Sequence, residues 1–329
     1  MALQLLIVKL SSLGDVVQTA AVVQDVLRRF PDAQIDWVVE EAFAPLVALV
    51  GGVRRVIPIA QRRWRKARWS AVTRRARAAF VQDLQAQTYD VVLDFQGLIK
   101  SALVARQARL RPGGFSASFA NGSDACSYEW PVRWLLRRSF PMPQRIHAVA
   151  RYRLLAALAL GYTTDDAARV RWLLAPVAAP HKTIVFAHGT TRADNEWSPA
   201  NWLALGQQLI AQGFALALPQ SNDAEQARAQ ALVQAWGPQA SVWPRESLAD
   251  VTRRMAACAG VIGVDSGLSH IAVALGLPHV QIFSQDRAWR AGPVGLAHQL
   301  AVGGRLTPEV AAVEQAWESV WAARPGAAL

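Results

Sequence analysis

Short unbroken apolar runs alternate with amphipathic stretches along most of this chain, and the alternation predicts its elements. Residues 3–8, apolar but for Gln4, form a segment of the kind expected for a strand buried on both faces. Lys9-Leu10-Ser11-Ser12-Leu13-Gly14-Asp15 follows, and then Val16, Thr19, Ala20, Val23, Val26 and Leu27 recur at helical spacing until Pro31 closes the element. Residues 35–39, 56–59 and 89–94 read as further strands. The last of these runs through Phe95-Gln96-Gly97-Leu98 into a helix. Residues 112–143, with their glycines, serines and prolines and weak periodicity, read as an irregular loop region. Residues 147–160 are helical again, ended by Gly161.

A second series follows a loop-like stretch at 162–182, the candidate linker. Its strands are predicted at 183–187, 215–218, 261–264 and 280–283. Its helices are predicted near 199–212, 224–236, 248–257 and 268–275, with a tail helix at 308–323. Strands and helices alternating at these lengths imply parallel α/β sheets, and 329 residues suit two such domains. The expected division is 1–165 and 166–329, two doubly wound, Rossmann-like domains facing a cleft, with the terminal helix at liberty to pack back on the first.

Composition narrows the class. A hydrophobic content of 52% supports a globular protein, and no apolar run approaches the roughly 20 residues that cross a bilayer. The first 15 residues are interrupted by Lys9 and Asp15 and lack a small-residue cleavage site, so they read as a strand rather than a signal peptide. Cys126 and Cys258 are too few for a disulfide framework or a structural zinc site, which fits a reducing cytosol. The formal charge of +11 calls for an anionic partner: nucleic acid, a nucleotide or an acidic membrane surface. Between Glu41 and Asp83 there is no acidic residue, while Arg54, Arg55, Arg62, Arg63, Arg65, Lys66, Arg68, Arg74, Arg75 and Arg77 all fall there, interleaved with Trp64 and Trp69. A solvated helix face mixes both signs; this run reads as one that meets an anion.

Three loops carry candidate chemistry. At 259–270, an apolar strand meets Gly263-Val264-Asp265-Ser266-Gly267-Leu268-Ser269-His270 and a helix begins. Gly263 and Gly267 permit unusual backbone angles, Asp265, Ser266 and Ser269 can cap the helix, and its first N–H groups suit a phosphate. The alternative is a plain strand-to-helix turn. The loop His188-Gly189-Thr190-Thr191-Arg192-Ala193-Asp194-Asn195-Glu196-Trp197 occupies a similar place, with phosphate binding or ordinary capping as its two readings. Asp15, at the mouth of the first strand–helix unit, is either a general base or the N-cap of a helix beginning near Val16. No Gly-x-Gly-x-x-Gly follows a strand, which argues against a nicotinamide-dependent oxidoreductase. A non-enzymatic anion binder would explain the basic run but leave the paired loops and Asp15 without a role.

Several stretches, in order, resemble one family. They are Val8-Lys9-Leu10-Ser11-Ser12-Leu13-Gly14-Asp15-Val16-Val17, Asp36-Trp37-Val38-Val39-Glu40-Glu41, Arg62-Arg63-Trp64-Arg65-Lys66, Asp94-Phe95-Gln96-Gly97-Leu98-Ile99-Lys100-Ser101, Thr190-Thr191-Arg192 and Gly263–His270. Spread over nearly the whole chain, they are similar to the ADP-heptose:lipopolysaccharide heptosyltransferases. The resemblance implies a GT-B fold and transfer of L-glycero-D-manno-heptose from ADP-heptose to Kdo of the inner core (Kdo2-lipid A), inverting and without a metal or other cofactor. No Asp-x-Asp pair or His/carboxylate cluster is placed in the sequence to hold a divalent ion beside a diphosphate.

The resemblance further implies Asp15 as base. It implies a donor site of Thr190, Thr191, Arg192, Asn195, Glu225, Asp265, Ser266, Gly267, Leu268 and His270, and an acceptor site of Ser12, Gly14, Arg62, Arg63, Lys66, Gln96 and Lys100. Asp265, a carboxylate beside a diphosphate, is read as accepting hydrogen bonds from donor hydroxyls or from the loop backbone. Relatives commonly carry Lys where this chain has Asn195, a departure for which Arg192 is the candidate compensation. The implied partners are ADP-heptose, Kdo2-lipid A and an anionic membrane surface rather than nucleic acid, which places the chain on the cytoplasmic face of a Gram-negative inner membrane. The Arg-Arg-Trp-Arg-Lys run favours the member that adds the first heptose over a sister adding a later one.

Overall fold

The computed structural model describes residues 2–164, 169–176 and 181–326. The chain forms two compact units, Met1–Leu173 and Leu174–Leu329. The boundary expected at 165/166 lies outside the described residues. Within the candidate linker, Trp172 makes an antiparallel bridge to Val50, and Leu173 N–H donates to Leu49 O (2.7 Å), so this part belongs to the first unit.

The first unit contains β1 (Gln4–Val8), β2 (Gln34–Glu40), β3 (Val53–Ile59), β4 (Thr88–Asp94), β5 (Arg109–Phe119) and β6 (Arg138–Phe140). All pairs are parallel, in the order β3-β2-β1-β4-β5-β6. The second unit repeats the plan with β7 (His181–Ala187), β8 (Ala215–Leu218), β9 (Ala240–Val242), β10 (Cys258–Val264), β11 (His279–Phe283) and β12 (Gln299–Gly303), ordered β12-β11-β10-β7-β8-β9. Parallel neighbours need crossover connections, and helices supply them. In each sheet the winding reverses beside the first strand, between β1 and β4 and between β7 and β10. Such a switch point opens a crevice at the carboxyl ends of the strands.

The central strands are apolar throughout because both faces are covered: Leu5, Leu6, Ile7 and Val8 are fully buried. Burial of such side chains contributes about 1.5–3 kcal/mol each. The second core is built on aromatic rings. Trp202 meets Phe186 and Trp197 at centroid distances of 4.8 and 4.9 Å, and Phe186 meets Trp236 at 5.7 Å. The terminal helix, Val310–Ala322, places Val313, Trp317 and Val320 in this same core.

The structure departs from the sequence reading in identifiable places. Residues 112–143 are not irregular throughout: β5, a short helix (Val132–Leu135) and β6 occupy much of the stretch. The β4–β5 register passes from Tyr89↔Leu110 to Val91↔Phe115, so residues around Pro112-Gly113-Gly114 bulge out of the ladder and erase the strand's periodicity. β9 and β12 also lie outside the sequence reading, one being only three residues long and the other a largely exposed edge strand. The first helix is two, Leu13–Thr19 and Ala21–Arg29, so Asp15 sits in a helical turn rather than on a loop.

Candidate active site

Both switch points carry the loops singled out in the sequence. In the first unit, Val8 of β1 pairs with Asp94 of β4, and each strand runs directly into its loop. Ser12 precedes the helix Leu13–Thr19 as its N-cap and Asp15 is its third residue. Asp15 is therefore not the cap; its Oδ2 accepts from Ser12 N–H (3.2 Å) and Ser12 Oγ (2.8 Å). The side chain keeps 23% exposure. Its Oδ1 accepts from the Tyr152 hydroxyl at 2.6 Å, and Lys9 Nζ lies 4.0 Å away.

Lys9 is buried and donates to Phe95 O and to the Tyr152 oxygen, each at 3.1 Å. Burial pulls its pKa below the ordinary lysine value, with Asp15 and Asp94 pulling the other way. Burial also pushes the Asp94 carboxyl up to about 6, despite the Gln96 N–H at 2.9 Å from its Oδ1. Gln96 staples the loops together, its Oε1 accepting from Leu10 N–H (3.2 Å) and Ser11 N–H (3.1 Å). Gly97 is in the left-handed region (φ 70°), a turn that suits glycine.

Next to this edge is a cavity of about 550 Å³. Arg62, Arg65, Arg68, Arg77 and Lys100 line it, together with Leu10, Ser11, Trp64 and the buried Glu40. Glu40 Oε1 accepts the Arg62 backbone N–H (3.0 Å), which fixes the start of the helix Gln61–Lys66. The basic run is thus divided. Arg54 and Arg55 pair with the fully buried Asp36, Arg55 also with Asp83, and Arg63 with Glu41. Arg63 and Lys66, expected at the acceptor, are not among the residues lining the cavity, whereas Arg65, Arg68 and Arg77 join Arg62 and Lys100 there. Among the described residues no carboxylate pairs with those five cations.

In the second unit, β10 ends at Val264 and the helix Gly267–Leu275 begins behind Ser266, its N-cap. Gly263 and Gly267 do not have positive φ. Gly263 serves close packing instead: a Cβ there would stand 2.6 Å from both Ala187 Cβ and Ser269 Oγ. Asp265 is not a cap either. Its backbone N–H donates to Ile282 O, and its carboxylate accepts from Gln281 Nε2 and Asn195 Nδ2 (3.3 Å each), with His270 Nε2 at 3.4 Å. Desolvation works to raise the Asp265 pKa, but His270, Arg290 and Arg287 outweigh it and leave it below the usual aspartate value.

The loop after β7 closes on the same spot. Thr190 Oγ1 donates to Asp265 O (3.3 Å), and Asn195, almost fully buried, reaches the same carbonyl. Arg192 pairs in both its N–H arms with Asp194, so its charge is partly neutralised within the loop. Thr191 is exposed, and Leu268 is half-buried. Glu225, near the start of the helix Asp223–Trp236, accepts from Ser221 N–H (2.7 Å) and Ser221 Oγ (2.8 Å). A Cβ at position 189 would lie 2.6 Å from Glu225 Oε1, so a glycine there lets the carboxylate rest against the strand end. His188 is buried behind it; burial, and then Arg228, pull its pKa down to about 4.

Sequence reasoning missed Tyr152, Gln281, Arg287 and Arg290, which lie outside any recognisable motif. Lys9 and Asp94 stood within quoted motifs without a role, and a charge terminating a buried apolar run was the signal for both. Among the described residues no group of three or more His, Cys, Asp or Glu side chains is gathered in metal-binding geometry.

A model of Glycosyltransferase family 9 (heptosyltransferase) matches residues 77–314. Lipopolysaccharide heptosyltransferase 1 of Pseudomonas aeruginosa is 37% identical over 300 residues, covering 89% of this chain and 82% of that protein. The Escherichia coli heptosyltransferase WaaC solved with ADP superposes with a TM-score of 0.85 at 34% identity, over 97% of this chain and 100% of that one. The same enzyme solved with ADP-2-deoxy-2-fluoro heptose gives a TM-score of 0.79 at 32% identity, over 96% and 98%. The two six-stranded parallel sheets are accordingly those of the GT-B fold.

Proposed function

This chain belongs to glycosyltransferase family 9, the heptosyltransferases, and on that footing we propose that it transfers L-glycero-D-manno-heptose from ADP-heptose to Kdo of the lipopolysaccharide inner core, inverting the anomeric carbon without a metal ion. The observation that carries the reading is the likeness to lipopolysaccharide heptosyltransferase 1 across 89% of the chain, with Asp15 partly exposed at the switch point of the first sheet.

Asp15 takes the proton of the Kdo hydroxyl as that oxygen attacks the anomeric carbon and the bond to the diphosphate breaks. ADP departs with the electron pair, and the proton on Asp15 passes to solvent. Negative charge developing on the leaving diphosphate is met by the N–H groups of Ser266, Gly267 and Leu268 at the helix start, with Arg192, Arg287 and Arg290 nearby in charge. Glu225 holds the adenosine ribose. Asp265, positioned by Asn195, Gln281 and His270, orients the donor loop and faces the heptose.

The first unit takes the acceptor: Arg62, Arg65 and Lys100 hold Kdo carboxylates and lipid A phosphates in the basic cavity. Among the described residues no helix is long and apolar enough to cross a membrane, and we assign the chain a peripheral place on the cytoplasmic face of the inner membrane. The test is product formation from ADP-heptose and Kdo2-lipid A with and without EDTA. One heptosyl product at equal rates supports the reading; loss of activity in EDTA overturns metal independence, and no product with this acceptor overturns the assignment.

A further inference from the structure

Three tryptophans of the first unit stand in solvent: Trp69, Trp130 and Trp134, with 77%, 58% and 69% exposure. Large apolar side chains left out in a group mark an interaction surface, and Trp130 and Trp134 form such a group. The rings of Trp130 and Trp134 meet edge to face at 4.5 Å. Their segment packs on the helix Ile99–Gln107 and is fastened to its first turn by Glu129, whose Oε2 accepts from Ile99 N–H (2.6 Å). On that helix Ile99 and Leu103 are exposed as well, and Leu103 and Lys100 also line the basic cavity. From the preceding basic segment Arg68 lines the cavity too, with its guanidinium 5.1 Å from the Trp69 ring centre.

We propose that this aromatic rim docks on a membrane: Trp130, Trp134 and Ile99 enter the headgroup–acyl boundary of an anionic leaflet and present the basic cavity to its lipids. The inference deepens the peripheral attachment proposed above and rests on it. An indole suits that boundary because its ring is apolar while its N–H wants a polar partner. Charge complementarity selects the occupant. Around the rim Arg62, Arg65, Arg68, Lys100 and Arg133 outweigh the exposed carboxylate Glu129 and, among the described residues, pair with no carboxylate, which suits a surface that meets anionic headgroups. A single face then both attaches the enzyme and orients its cavity toward an acceptor that cannot leave the bilayer.

The full chain is sedimented with phosphatidylcholine vesicles with and without phosphatidylglycerol, alongside the Trp130→Ser/Trp134→Ser double variant and Ile99→Ser. Wild type binds the anionic vesicles, and the double variant loses about tenfold or more in partitioning. Its kcat on an O-deacylated, water-soluble acceptor stays at the wild-type value. Equal binding by wild type and both variants overturns the rim; so does a matching loss of turnover on soluble acceptor, which would signal damage to the fold. Wild type failing to bind either vesicle overturns peripheral attachment itself. A wild-type dimer that the double variant abolishes assigns the rim to a second copy of the chain and overturns membrane docking.

Discussion

The Tyr152 hydroxyl donates to Asp15 Oδ1 at 2.6 Å while accepting from buried Lys9 at 3.1 Å, so the proposed base is held by a residue 137 positions away. A donor to the charged form of a carboxylate favours that form. Tyr152→Phe removes it and leaves the ring contacts with Phe95 and Phe119 in place. We expect kcat to fall about 10-fold or more with the donor KM nearly unchanged, and the acidic limb of the kcat profile to move to higher pH. An unaltered profile removes Tyr152 from the mechanism. Asp15→Ala, by comparison, loses about 10²–10⁴ in turnover while still binding ADP.

Arg62 and Arg65 line the cavity, whereas Arg63 is paired with Glu41 at the surface. Reversal of Arg62 and Arg65 to Glu should raise acceptor KM by about 10-fold or more, since each phosphate or carboxylate partner becomes a repulsion. Arg63→Ala should change it little, because exposed ion pairs contribute about 0–1 kcal/mol. Steady-state kinetics on Kdo2-lipid A decides; equal effects at 63 and 62 would contradict the division of the basic run.

Asn195 stands where the family resemblance puts a lysine, and its amide reaches both the Asp265 carbonyl and carboxylate. Asn195→Lys should set an ammonium against Asp265 and the donor diphosphate together. Titration calorimetry with ADP is expected to show affinity rising about 10-fold, the scale of one charge-assisted contact. Weaker binding would mean that the pocket, shaped around an amide, does not admit the longer chain.

His188 and His279 of the second unit are both pulled down to about 4 by burial. The unfolded imidazole protonates near 6.5, so between these values the unfolded state binds more protons. Stability is therefore complete above 6.5 and is lost as pH falls toward 4, on the order of 2–4 kcal/mol per imidazole. Urea midpoints across this window should drop with pH, and His279→Gln should flatten the slope. A midpoint independent of pH would show that neither ring resists protonation.

The sheets were legible wherever burial on both faces writes an unbroken apolar run, as in β1, β4, β7 and β10. They were illegible where an edge strand has only three residues, as in β9, or where Pro112-Gly113-Gly114 lifts β5 out of register. Candidate site residues in loops after central strands stand out because charge and glycine interrupt apolar sequence there. Tyr152 could not, since an aromatic residue inside an apolar helix carries no mark of the contact it makes. Arg63 shows the converse: its motif was read correctly as basic, but sequence does not say which cation already has a carboxylate.

β1 lies in the middle of its sheet, and its neighbour β4 is made about 80 residues later, while Tyr152 comes later still. During synthesis, at about 5–20 residues per second, Asp15 therefore waits about 7–27 seconds for the helix that restrains it. The first unit acquires Asp15, the proposed base, early and the residue that restrains it late, so a truncated nascent chain carries Asp15 without its Tyr152 partner.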